Sequence, residues 1–261
     1  MTVIHAGDVG VLLRGWRERR RLSQLELSAR AHVSTRHLSF VETGRSKPTR
    51  EMLDRLSAHL DIPLRERNQL LLSAGFAPAH PERAMNAPEL RSVSSALRQL
   101  LDAHAQYPAL VLDRWWDVMD RNAATDVLLE GCALHLLEPP VNAVRLSLHP
   151  EGLAPRIRNL GQWRTHLIGQ VCARADRTGD SRLRRLAEEV AAYPGDDVGR
   201  PAVTDVVIPL ELEVAGEDLR FFSMSAAVES ALDITIDELR IESFYPADDA
   251  TARCLRHRQP S

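Results

Sequence analysis

The chain has 261 residues, room for two domains, and its 44% apolar and 26% charged residues are the balance of an ordinary globular protein. No apolar run approaches the roughly 20 residues that span a bilayer, the opening residues lack the apolar core and cleavage site of a secretory leader, and the three scattered cysteines Cys132, Cys172 and Cys254 make no disulfide framework, so membrane and disulfide-built classes are excluded and a cytoplasmic location is expected. The net charge of −3 is uneven, because residues 1–75 hold 13 basic and 8 acidic groups while the remaining 186 hold 20 and 28, a basic head on an acidic body that points to a polyanionic partner for the head.

The first 75 residues read as helices only. Val9, Leu12, Leu13 and Trp16 share one helical face, and the run Arg17 to Arg21 closes that helix. Ser23-Gln24-Leu25-Glu26 is a capping box that opens a short helix to Ala31. His32-Val33 makes a tight turn, and Ser34 caps a helix to about Glu42 with Leu38 and Val41 inward. Gly44 stands where a left-handed C-terminal cap belongs. Thr49 caps a fourth helix facing inward through Leu53, Leu56 and Leu60, and a fifth runs from about Leu64 to Ala74.

Residues 76–88, with Pro78, Pro81 and Pro88, read as a flexible linker. A connecting helix over Glu89–Ala105 follows, so that 76–106 joins the head to a second domain over 107–261. There the pattern is mixed. Strands are expected at Ala109–Leu112, Trp116–Asp120, Ile208–Val214, Leu219–Val228 and Arg240–Tyr245, with a turn at Gly216-Glu217-Asp218. Helices are expected from an Asn122 cap to Leu129, near Val141–Leu148, Leu160–Arg174 and Arg182–Ala192, and over Asp248–Arg258. The fold class is multidomain: an all-α head followed by an α+β domain.

Gln24–Ala31 and Ser34–Glu42, joined by a tight turn, form a helix-turn-helix unit. In such a unit the first helix lies across the phosphate backbone, which its N-terminal amides and Gln24 can hold. The second points its N-terminal residues into the major groove. Its outward positions are Thr35, Arg36, Ser39 and Phe40: Arg can bond guanine O6 and N7 together, while Thr and Phe can pack on a thymine methyl. The alternative is a helical bundle with no nucleic-acid partner. The chain has no Gly-rich phosphate loop, no nucleophile elbow and no H-E-x-x-H. Cys132 and His135 have C-x2-H spacing without a second ligand pair, and His149 with Glu151 sits at an expected helix end. No enzyme, metal or covalent cofactor is expected.

Leu22-Ser23-Gln24, Leu27, Ala31, Val33, Leu38 and Val41-Glu42-Thr43-Gly44-Arg45 resemble the phage-repressor and XRE class of regulators over about Asp8 to Ala74. The resemblance implies a five-helix lambda-repressor-like domain that contacts double-stranded DNA through Gln24, Thr35, Arg36, His37 and Phe40, with Arg45 and Lys47 in a phosphate-touching loop; Ser34 and Ser39 of the same helix complete the candidate DNA-binding residues. Phe40 departs from the pattern, since a polar base-reader often stands there. Tyr107-Pro108-Ala109-Leu110-Val111, Asn122-Ala123-Ala124, Leu148-His149-Pro150-Glu151-Gly152-Leu153 and Phe244-Tyr245-Pro246-Ala247-Asp248 resemble the MmyB-like subgroup of that class, as does 34–40. That resemblance implies a PAS-like domain, an antiparallel sheet with helices over one face, which binds a fatty acid or similar apolar molecule non-covalently between the two.

Candidate wall residues are Leu110, Leu112, Trp116, Val118, Leu146, Trp163, Leu167, Phe221 and Phe222. A ligand carboxylate would need a cationic partner, and Arg145, His149, Arg158 and Arg164 are the groups nearest in sequence. A homodimer is expected, reading half-sites about 10 bp apart or a multiple of that, with the 89–105 helix carrying the coupling. The other reading open here is a C-terminal protein-interaction and dimerisation module without a small-molecule ligand.

Overall fold

A computed structural model describes residues 8–195, 207–228 and 231–258. It divides into two compact units. The first contains helices α1 (Asp8–Arg19), α2 (Gln24–Arg30), α3 (Thr35–Glu42), α4 (Arg50–His59) and α5 (Leu64–Ser73). The caps read from the sequence are formed. The Ser23 hydroxyl accepts the Glu26 N–H while Glu26 accepts the Ser23 N–H, Ser34 accepts from His37, and Thr49 accepts from Met52. Gly44 lies at φ 72°, and past it Arg45 N–H donates to Phe40 O at 2.8 Å, which turns the chain sharply off α3. Leu13, Leu27, Leu38, Leu53, Leu56 and Leu70 interlock in the core.

The stretch read as a flexible linker is bound along α5. Asn68 Oδ1 accepts the Ala79 and His80 N–H groups at 2.9 and 3.0 Å, and Asn68 Nδ2 donates to His80 O at 2.6 Å. One amide side chain thus satisfies backbone groups that a loose linker would leave to water. The first unit runs on to Arg83 and also takes in a short helix, Ile234–Asp237, that the sequence reading missed. It is tied there by Ile234 N–H to Pro81 O at 2.9 Å and by an Arg83–Asp233 ion pair at 2.8 Å.

The second unit is built on strands β1 (Ala109–Leu112), β2 (Val118–Arg121), β3 (Leu210–Val214), β4 (Glu217–Ala227) and β5 (Arg240–Pro246), in the order β2-β1-β5-β4-β3 and antiparallel throughout. The β3–β4 turn is Ala215-Gly216, both at positive φ, one residue earlier than read from the sequence. The second expected strand starts at Val118 instead of Trp116. The Asp113 carboxylate accepts the Trp115 and Asp117 N–H groups at 2.7 and 2.9 Å, and Trp116 is turned to φ 64°.

One sheet face packs on the helices Ala143–Leu148, Leu160–Thr178 and Ser181–Ala191, and the helix Asp249–His257 joins the same core through Leu255. A further helix, Arg91–Ala103, serves the opposite face, where His104 just beyond it bonds the Tyr245 hydroxyl at 2.6 Å, so helices do not cover one face alone. Asn122 stands at the N-cap position of the short turn Ala123–Thr125 that leads into Asp126–Leu129, but its side chain makes no cap hydrogen bond. Its amide donates to His104 O and Tyr107 O at 2.9 and 2.8 Å and accepts the Ala109 N–H at 3.0 Å, closing the corner into β1. Among the described residues no helix is long and apolar enough to cross a membrane.

Candidate functional site

The helix-turn-helix is locked from within. Val33 N–H donates to Ser28 O at 3.0 Å, His32 takes φ 53°, and the Ser28 and Thr35 hydroxyls bond at 2.7 Å across the turn. Behind the two helices, the Glu42 carboxylate accepts Arg17 Nε and Nη2 at 2.7 and 2.9 Å and Gln24 Nε2 at 2.8 Å. Gln24 therefore commits one amide hydrogen to the frame and the Thr35 hydroxyl is already bonded, while Arg36, His37, Arg45 and Lys47 stand exposed. Ser34 works as the cap, and Ser39 and Phe40 are half-buried. The Arg36 guanidinium carbon lies 5.4 Å from the Phe40 ring centroid, one turn along α3. A ring at that distance attracts the guanidinium to its face.

The second unit holds a cavity of about 220 Å³ between the sheet and the helices. Of the predicted wall residues, Leu110, Leu112, Trp116, Val118, Leu146, Trp163 and Leu167 line it. Phe221 is fully buried in the core without lining it, and Phe222 lies on the other sheet face, stacked on Tyr245 at 5.5 Å. Side chains alternate along a strand, so neighbouring phenylalanines cannot share a face.

None of the four predicted cationic partners lines the cavity. Arg145 is clamped by both Glu189 oxygens at 2.7 Å. Arg158 pairs with Asp218 at 2.8 Å on the surface. Arg164 donates to Tyr193 O and Ala191 O at 2.5 and 2.6 Å. His149 sets its ring edge-on to Tyr193, and its Nδ1 accepts the Glu151 N–H at 3.1 Å rather than bonding terminal carbonyls. Helical neighbours are turned about 100° from one another, which is why Arg145 faces away while the next residue, Leu146, faces in.

The polar groups that do line the cavity were not read from the sequence: Ser223, Glu242, His166, Gln170, Thr125, Ser147 and Arg121. Burial pushes the Glu242 carboxyl up, opposed by hydrogen bonds from Ser223 and Ser225 and by the charge of Arg174. Burial likewise holds the His166 imidazole below its usual value. Arg121 pairs with Asp126. Elsewhere, ligand-type atoms of His135, His149 and Glu151 lie within 4.8 Å of one another, a grouping in which Cys132 takes no part.

Comparison with known proteins agrees with these two parts. Residues 13–67 match a helix-turn-helix family model, and residues 93–257 match the MmyB-like transcription regulator ligand binding domain. The transcriptional regulator ClgR of Mycobacterium tuberculosis, in strains CDC 1551 / Oshkosh and ATCC 25618 / H37Rv, is 37% identical over 79 residues, which is 30% of this chain and 68% of the relative. The ligand-binding model alone covers more than half of the sequence, and the chain belongs to the MmyB-like family of DNA-binding transcription regulators, a helix-turn-helix followed by a ligand-binding domain.

Proposed function

We propose that this regulator reads a specific DNA site as a cytoplasmic homodimer, and that an apolar, fatty-acid-like molecule lodged in the cavity biases its affinity for that site. The observation that carries the reading is the cavity itself, bounded mainly by Leu, Val, Trp and Phe side chains inside the family's ligand-binding region. A hydrocarbon lining supports a sensor rather than a catalyst. The β2-β1-β5-β4-β3 order supports a PAS-like description of the domain. DNA affinity responds only if the ligand prefers one pose of the DNA heads over the other.

Native and then denaturing mass spectrometry of the purified full chain tests the reading. The expected result is a dimer carrying added mass, released on denaturation as an apolar compound. A protein without added mass, unmoved in thermal stability by any member of an apolar compound panel, contradicts it. Such a result favours a domain that serves protein contacts.

A further inference from the structure

We propose that the cavity selects ligands whose head is a hydrogen-bond donor, an alcohol or a protonated amine, held by the carboxylate of Glu242, over ligands ending in a free carboxylate. The inference rests on the reading of the cavity as an apolar-ligand site and departs from it in the head group, a donor in place of the acid of a fatty acid.

Glu242 lies on the central strand of the sheet, opposite Leu110 of β1 on one side and Ser225 of β4 on the other. It shares its face with Phe244, two residues along, and lines the cavity among hydrocarbon. A carboxylate placed there needs donors. Ser223 and Ser225 supply two, whereas a carboxylate offers about four lone-pair sites. The remaining acceptor positions suit a ligand O–H or N–H.

The cations nearby are already engaged. Arg121 at the cavity lining pairs with Asp126. Arg174 lies with its guanidinium carbon 4.2 Å from the Trp116 ring centroid and donates to Arg114 O at 3.2 Å. Burial lowers the His166 imidazole below its usual value and so disfavours its charged form. An anionic head seated at Glu242 would set two carboxylates side by side, which can share the site only by holding a proton between them. A donor head makes a charge-assisted hydrogen bond instead.

Trp116 and Trp163 line the cavity and serve as reporters. Their fluorescence is followed while the delipidated full-length protein is titrated, at neutral pH and below micelle concentrations, with dodecanol, dodecylamine and dodecanoate. The expected order places the alcohol and the amine about tenfold or more tighter than the carboxylate. Glu242→Gln is expected to lose the preference for the amine while still binding the alcohol.

If dodecanoate binds tightest, and as well to Glu242→Gln as to wild type, the head-group inference is overturned while the apolar-sensor reading stands. If none of the three binds, both fall. The ranking on wild-type protein decides the matter even if the variant does not fold.

Discussion

Glu42 holds Arg17 with both carboxylate oxygens, at 2.7 and 2.9 Å, joining the end of α3 to α1 with the Glu42 side chain only 1% exposed. A buried pair is no sure source of stability, but breaking one side of it strands a charge. Arg17→Ala is therefore expected to destabilise the protein by about 3–5 kcal/mol, read from denaturant unfolding. A loss below about 1 kcal/mol would mean that the pair is effectively solvated.

Two glycines of α1 should respond to alanine with opposite signs. A Cβ on Gly10 would stand 2.3 Å from Val41 O, on the backbone of α3, whereas a Cβ on Gly15 meets nothing within 4 Å. Gly10→Ala must push the helices apart and is expected to cost about 1–3 kcal/mol. Gly15→Ala gains helix propensity, up to about 1 kcal/mol. Thermal unfolding of the pair checks this. Equal shifts would refute the close packing of α1 on α3.

Asp180 carries an acid-dependent share of stability. Burial would raise its carboxyl, but hydrogen bonds from Trp115 Nε1 and the Arg182 N–H, with the charge of Arg114, bring it below its ordinary 3.8. A lowered folded value means that this stability is present above the ordinary value and is lost as pH falls through the folded one. Asp180→Asn keeps a good helix cap and removes the charge. The variant is expected to be less stable than wild type at neutral pH and to converge with it in acid. A gap that stays constant with pH would contradict the assignment.

The sequence revealed most where the cause was local. Ser23, Ser34 and Thr49 each cap through a residue three positions on and Gly44 turns the chain where it stands, and each does in the structure what its spacing implied. The cavity's apolar side was legible through the family resemblance and strand alternation, which picked out Leu110, Leu112, Trp163 and Leu167. Its polar side was not. Ile241 and Phe244 are both buried, so β5 is covered on both faces and alternation could not say which way Glu242 points. Arg145 and Arg158 were chosen for nearness in sequence, whereas their partners Glu189 and Asp218 lie 44 and 60 residues away. The same distance hid the Asp233–Arg83 pair, whose members are 150 residues apart.

Lys47 stands exposed in the loop after α3, the place expected to meet phosphate. Lys47→Ala is expected to weaken binding to all duplexes alike and to reduce the salt slope of binding by about 0.9. Titrations at several salt concentrations give that slope. An unchanged slope would place Lys47 off the DNA.

Arg36, exposed beside the Phe40 ring, is the group expected to read a base. Duplexes bound by the full chain are selected from a randomised pool, and an enriched and a scrambled duplex are then titrated by fluorescence anisotropy at one salt concentration. Wild type is expected to favour the enriched duplex by about a thousandfold or more. Arg36→Ala is expected to lose about 1–3 kcal/mol on that duplex and little on the scrambled one. No enrichment by wild type, or an equal loss on both duplexes, would contradict a protein that reads DNA sequence through α3.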